Sequence, residues 1–211
     1  MTRRSLALIK ALVIIGCLIP FAWVAARAFG FGGDLGANPV QMVLHTFGKT
    51  GLNLLILTLA ITPIRKQTGL NWLVALRRTL GLAAFAYILL HAVTYAVLDQ
   101  GLAWQSLLMD VAMRPYITVG FLALVLMVPL AVTSTNAMQR RLRRRWLQLH
   151  RLVYLIGILG AVHFLWLVKI DVSEPLLYMG VLALLLGYRV VDWRRRQQRR
   201  LQARRQRASP V

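Results

Sequence analysis

Apolar residues fall in six blocks along this chain, separated by short stretches rich in glycine, proline, asparagine or charge. The blocks lie at 8–28, 40–64, 79–98, 116–133, 147–168 and 176–191. Each approaches or meets the roughly 17 to 25 residues that a helix needs to cross a bilayer. The connections FGFGGDLGANP, RKQTGLNWLVALRR, DQGLAWQSLLMDVAMRP, STNAMQRRLRRR and KIDVSEP interrupt the apolar pattern. The pattern predicts an all-α integral membrane protein. It is a six-transmembrane-helix bundle over residues 1–192, followed by a basic tail at 193–211 expected to be disordered. No internal repeat is apparent in the letters.

Composition sharpens this picture. Fifty-eight per cent of the residues are apolar and only six are acidic, whereas soluble chains carry about a quarter charged residues. The net charge of +20 would point to nucleic acid in a soluble protein. Here position excludes that reading. All of the 26 basic residues except Arg27, Lys49, Arg114 and Lys169 lie on one side of the predicted topology, and all six acids except Asp192 lie on the other. This is the positive-inside pattern, and it places both termini in the cytoplasm. Arg3 and Arg4 before the first block, with Ala26-Arg27-Ala28 after it, loosely imitate an export signal; a retained first span is the favoured reading, since more spans follow. Cys17 is the only cysteine, which excludes an internal disulfide, a cysteine zinc site, an iron–sulfur cluster and a C-x-x-C-H haem attachment.

The four histidines carry the candidate chemistry. Third and fifth blocks both run outward, with His91 about seven residues and His163 about five from their outer ends. At 1.5 Å per residue their depths differ by about 3 Å. One intramembrane histidine is as readily a helix–helix hydrogen bond as a ligand. Two at matched depth on different spans favour a shared metal held axially. No carboxylate lies in the apolar blocks, which removes zinc hydrolases, di-iron sites and acid-relay proton carriers. A haem needs only axial ligands and an apolar slot. Haem b on His91 and His163 is the reading from chemistry. Gly81, Ala83, Ala84, Gly157, Gly160 and Ala161 would suit a slot, or equally ordinary helix packing.

His150 begins the fifth block at the cytoplasmic interface, 13 residues before His163. That is about 20 Å along an ideal helix and roughly 140° around it. A second haem through His150 would need a partner, because the third block offers only one histidine; a flavin or quinone contact, or an interface cap, stand open beside it. His45 and Lys49 lie near the outer face. Lys49 either meets a haem propionate or snorkels to headgroups, and the same two readings apply to Arg114. Arg77 and Arg78 either hold a flavin phosphate or quinone at the inner face or belong simply to the positive-inside set. Trp72, Trp104, Trp146 and Trp166 fit an aromatic belt.

Four stretches, LGANPVQMVLHTFGKTGLNLLILTLAITPIR, RRTLGLAAFAYILLHAVTYAVL, RPYITVGFLALVLMVPLAVTSTNAMQRRL and WLQLHRLVYLIGILGAVHFLWLVK, cover nearly everything from Leu35 to Lys169. In this order they resemble the haem-binding membrane subunits of bacterial periplasmic protein-methionine-sulfoxide reductase systems, within the ferric-reductase-like transmembrane superfamily. The resemblance implies an inner-membrane electron conduit with haem b, and with FMN. Its donor would be the quinone pool or a cytoplasmic flavin reductase. Its partner would be a periplasmic molybdopterin-containing catalytic subunit that repairs oxidised methionines. His91 and His163 match the family's haem-ligand positions, and His45 and His150 match further recurring histidines. Larger ferric reductases place two histidines on the third span, where this chain has Arg77 and then His91. No G-x-G-x-x-G is present, so a nicotinamide is not expected to bind by the usual fold. The competing readings are a stand-alone ferric or quinone reductase, and a non-redox transporter or assembly factor.

Overall fold

The structure is a computed structural model, and it describes residues 2–208. Within them the chain forms helices α1 (Arg3–Ala28), α2 (Pro39–Thr68), α3 (Arg77–Thr94), α4 (Trp104–Met113), α5 (Pro115–Val132), α6 (Asn136–Leu142), α7 (Arg144–Leu149), α8 (Leu152–Leu167) and α9 (Ser173–Ala208). A 3₁₀ turn over Asn71–Leu76 leads into α3, and a π turn over Tyr95–Asp99 ends it. Six segments are long and apolar enough to cross a membrane: Arg3–Ala28, Pro39–Thr68, Asn71–Asp99, Pro115–Val132, Arg144–Leu167 and Ser173–Gln202. They coincide with the six predicted blocks. Helices are the expected solution, since in hydrocarbon each backbone N–H and C=O must find its partner within the segment.

Local chemistry sets the helix ends. Thr2 caps α1 by accepting from the Ser5 N–H, and Asn38 caps α2 through the Gln41 N–H ahead of Pro39. Gly69 closes α2 with φ of 73°, the left-handed conformation a side chain would resist.

Helix α2 is the hub. Its Phe47 and Leu55 pack with Ala84 and Tyr87 of α3, Ala123 and Met127 of α5 and Ile156 of α8. A second cluster joins Leu59 of α2 to Ala161 of α8 and Leu182 of α9. Gly51 brings α2 against α3: a Cβ there would lie 2.6 Å from Ile88 Cγ1. By contrast, α1 buries only Val24 and leaves Leu8, Leu12, Leu18 and Ile19 exposed, a surface suited to lipid. It is fastened by Tyr87, whose hydroxyl accepts from the Phe21 N–H (3.0 Å) and donates to the Cys17 carbonyl (2.5 Å). The hydroxyl is thereby inserted into the helix ladder beside Pro20, a recognised site of helix distortion.

Four features depart from the sequence reading. The fifth block is two helices, α7 and α8. Between them the N–H groups of Arg151, Val153 and Tyr154 reach back three residues instead of four, overwinding the chain at His150. The third connection contains α4, a short helix with Trp104, Leu108, Met109 and Met113 exposed, as befits a segment lying at a membrane surface. Helix α9 continues to Ala208 through residues expected to be disordered; its Arg, Gln, Leu and Ala are all good helix formers. Residues 209–211 of the tail lie outside the described residues. Finally, the structure contains a repeat that the letters conceal, and it builds the candidate site.

Candidate functional site

His91 comes from α3 and His163 from α8, and their ring centroids lie 6.1 Å apart at an interplanar angle of 80°. Each ring is held from behind in the same way. His91 Nδ1 donates to the Leu44 carbonyl of α2 at 2.9 Å, and His163 Nδ1 donates to the Tyr116 carbonyl of α5 at 2.7 Å. In both cases the carbonyl precedes the histidine by 47 residues. One turn beyond each carbonyl stands a glycine. A Cβ on Gly48 would sit 3.0 Å from His91 Nδ1, and one on Gly120 would sit 2.6 Å from His163 Nδ1. The missing side chains let the imidazoles approach the helix backbones.

A single displacement of 72 residues carries Leu44 to Tyr116, Gly48 to Gly120 and His91 to His163. It also carries Thr46, whose hydroxyl donates to the Met42 carbonyl, to Thr118, whose hydroxyl lies 3.1 Å from the Arg114 carbonyl and 2.5 Å from that of Val111. Helix pairs α2–α3 and α5–α8 are therefore two copies of one histidine-presenting unit.

The hydrogen bonds fix the chemistry of the rings. A carbonyl can only accept, so Nδ1 carries the proton of each neutral imidazole and Nε2 keeps its lone pair. Two such rings cannot hydrogen-bond through their remaining nitrogens, since neither has a proton there to give. Their juxtaposition suits a cation instead, and the Nδ1–carbonyl bond is the usual support of a metal-ligating histidine. An imidazole–metal bond of about 2 Å, with about 1 Å from nitrogen to ring centre on each side, requires centroids roughly 6 Å apart. The observed spacing meets that requirement. Among the described residues no three His, Cys, Asp or Glu side chains converge. A pair of axial imidazoles fits a haem, whose other four nitrogens come with the porphyrin.

The small residues proposed for a slot mostly serve packing. Ala84 and Ala161 are buried in the core clusters, and Gly157 faces Leu59 and Leu182. Gly48 and Gly120 make room at the rings; nothing short of the 72-residue displacement would have picked them out.

The remaining candidates separate into two ends of the bundle. At the histidine end His45 is exposed on α2, lining a shallow recess of about 370 Å³ with Asn38, Gln41, Met42, Thr46 and Lys49. The Lys49 ammonium pairs with Glu174 at 2.6 Å, a partner the sequence reading did not name. Arg114 pairs with Asp110 at 3.0 Å, and Asp110 also accepts from the Tyr95 hydroxyl. At the other end Arg77 and Arg78 diverge. Arg77 bonds to Thr62 of α2, whereas Arg78 is exposed and donates to Asn136 at 2.7 Å. His150 is not brought to the pair. Its ring stacks on Trp146 with centroids 3.8 Å apart, Nδ1 bonds to the Trp146 carbonyl, and Nε2 is buried without a partner. Arg189, which the sequence places only among the positive-inside residues, donates to Leu59 O and Tyr154 Oη, both at 2.8 Å.

The chain is similar to known proteins. Residues 47–161 match the family described as ferric reductase like transmembrane component. The protein-methionine-sulfoxide reductase heme-binding subunit MsrQ of Xanthomonas axonopodis pv. citri (strain 306) is 45% identical over 214 residues, covering 100% of this chain and 97% of the relative. The subunit of the same name from Xanthomonas campestris pv. campestris (strain 8004) is 47% identical over 210 residues, covering 97% and 95%. That of Rhodospirillum rubrum is 48% identical over 185 residues, covering 87% and 88%. The protein is a multi-pass protein of the bacterial inner membrane. With the family match covering more than half of the chain and these relatives aligned over nearly all of it, the chain belongs to the ferric reductase like transmembrane family, in the group formed by these MsrQ subunits.

Proposed function

We propose that this chain is the haem-binding, electron-carrying membrane subunit of a periplasmic protein-methionine-sulfoxide reductase, with His91 and His163 as the axial ligands of one haem b. The observation that carries the reading is the 6.1 Å approach of two rings whose Nδ1 atoms are both committed to backbone carbonyls. A bound haem supplies a one-electron carrier. The residues hold it in place: Leu44 and Tyr116 orient the imidazoles, and Gly48 and Gly120 admit them. Held by His91 and His163 together, a haem would serve electron transfer rather than the binding of dioxygen or substrate.

Positive-inside charge puts the Arg-rich end in the cytoplasm and the histidine pair toward the periplasm. Electrons enter at the cytoplasmic side from reduced quinone or a flavin reductase. They leave to a periplasmic molybdopterin-containing subunit, which carries out the bond chemistry: the sulfoxide oxygen departs as water with uptake of two electrons and two protons. FMN belongs at the cytoplasmic end, where Arg77 and Arg78 lie. One haem is the expected number, because the 72-residue displacement that relates His163 to His91 relates His150 to Arg78, which is no ligand.

Haem stoichiometry and redox titration of the purified chain test this. His91→Ala and His163→Ala should each remove most bound haem. Wild-type spectra in both variants would sink the assignment, and reduction of external acceptors without a periplasmic partner would favour a stand-alone reductase.

A further inference from the structure

The geometry points to a phosphate-binding site at the basic end of the bundle, formed by Arg77 of α3, Arg189 of α9 and Thr62 of α2. Both guanidinium groups converge on one hydroxyl: Arg77 Nη2 reaches Thr62 Oγ1 at 2.5 Å and Arg189 Nη2 reaches it at 3.3 Å. Two like charges are thus held together on the inner surfaces of three helices. Neither forms an ion pair among the described residues. Sequence explains why. Of six carboxylates in the chain, Asp34, Asp99, Asp110, Asp171 and Glu174 belong to the other end. The sixth, Asp192, is already shared by Lys66 and Arg196. No acidic side chain is left to neutralise the pair.

Unused donors point the same way. A guanidinium offers five N–H groups. Arg189 spends three, on Tyr154, Leu59 and Thr62, and Arg77 spends one. The Nε atoms of both are buried with no partner, which is costly for a donor unless a ligand completes it. Thr62 fits as well. Thr46, Thr58 and Thr68 on the same helix donate their hydroxyl hydrogens to carbonyls one turn back. Thr62 instead accepts from the two arginines, leaving its hydrogen for an incoming oxygen.

Ordinary headgroup snorkelling does not account for the pair. Arg78, the neighbour of Arg77, is exposed and bonds at the surface to Asn136, whereas Arg77 and Arg189 turn inward. Part of the Arg189 role is structural: Pro63 has no N–H to give the Leu59 carbonyl, and Arg189 Nη2 supplies the missing donor. That duty fixes the guanidinium and leaves its charge unanswered. Forked N–H donors of two arginines plus one hydroxyl match the several oxygens of a phosphate. The phosphate comes from an anionic phospholipid headgroup or from a soluble phosphate, the class to which the FMN phosphate placed at this end belongs. This inference does not rest on haem binding, so loss of haem with phosphate binding intact would overturn the proposed function and leave the site standing.

The test uses the full chain in phosphatidylcholine nanodiscs, with native mass spectrometry after phosphatidylglycerol is added and thermal midpoints as inorganic phosphate is raised. Retained phosphatidylglycerol identifies the lipid source, and stabilisation by inorganic phosphate alone identifies the soluble one. Either affinity should fall about tenfold or more in Arg77→Gln and Arg189→Gln. It should stay within about twofold in Arg141→Gln, an exposed arginine on α6 whose loss removes the same charge. Should Arg189→Gln fail to assemble, Arg77→Gln decides alone, since it leaves the Leu59 carbonyl served. The site is overturned if neither probe binds the wild-type protein, or if either binds both variants as tightly as the wild type.

Discussion

His91 and His163 face each other across 6.1 Å while both direct Nδ1 at a helix carbonyl. Equivalent positions in the two copies of a helix-pair unit bring them together, so the pair lies where the copies meet. Two neutral rings whose only protons are spent on backbone carbonyls have none left to bond to each other. This separates the pair from the interhelical hydrogen bonds that hold membrane helices together at roughly 0.6 to 2 kcal/mol each.

His150 provides the contrast. It stacks on Trp146, and its equivalent in the first copy is Arg78. His150→Ala should therefore leave haem content and the optical spectrum of the purified chain near wild type, while His91→Ala and His163→Ala lose both. Loss of half the haem in His150→Ala would instead establish a second, inner site. Haem extraction and protein quantitation on the three variants distinguish these outcomes.

The glycines should differ in severity. A methyl on Gly120 would lie 2.6, 2.9 and 3.1 Å from three atoms of the His163 ring, and one on Gly48 would lie 3.0 Å from the nearest atom of His91. Overpacking of this kind costs about 1 to 3 kcal/mol, enough to weaken ligand binding by roughly 5- to 150-fold. Gly120→Ala should therefore lose more haem affinity than Gly48→Ala, and both should lose more than Gly180→Ala, where a Cβ would meet nothing within 4 Å. Haem titration of the apo variants measures the order, and equal affinities would show that the rings do not depend on these close approaches.

Much of this was legible in the sequence for physical reasons. A span must be apolar over a fixed length, and a histidine inside one stands out against it, so the six helices and the matched depth of His91 and His163 follow from the letters. The cradle does not. Leu44 and Tyr116 act through backbone carbonyls, which no side chain announces, and Gly48 and Gly120 look like any other helix glycine. Their pairing becomes visible only when distances reveal the 72-residue displacement. Glu174 was counted as a loop acid, although it sits on the first turn of α9 within reach of Lys49. Arg189 counts by charge only toward the cytoplasmic side, although it bridges α9 to α2 and α8. Charge counting gives the side of the membrane but not the direction in which a long side chain turns.

Lys49 and Glu174 link α2 to α9, and both side chains are partly exposed, at 39% and 44%. Screening limits such a pair to about 0.2 to 1 kcal/mol. Glu174→Gln should lower the thermal midpoint by no more than about 4 °C and leave haem bound. A double-mutant cycle with Lys49→Met should return a coupling inside that range. Haem loss in Glu174→Gln would mean that Lys49, once freed, disturbs the site, or that the ion pair organises it.

The Tyr87 hydroxyl tests what fastens α1. It accepts from Phe21 and donates to Cys17, two backbone groups that an undisturbed helix would join to each other. Tyr87→Phe removes both bonds, at roughly 0.5 to 1.5 kcal/mol each, but the freed N–H and carbonyl can then close on one another. Net destabilisation should therefore fall below the sum of the two, at about 1 kcal/mol, and it should be local. Helix α1 has one buried residue, so it has little else to hold it. Protease cleavage in the connection after Ala28 should accelerate in Tyr87→Phe while the haem spectrum, set by α3 and α8, stays unchanged. If cleavage is unaltered, apolar contact along α1 suffices to dock it, and the hydroxyl only fills the gap beside Pro20.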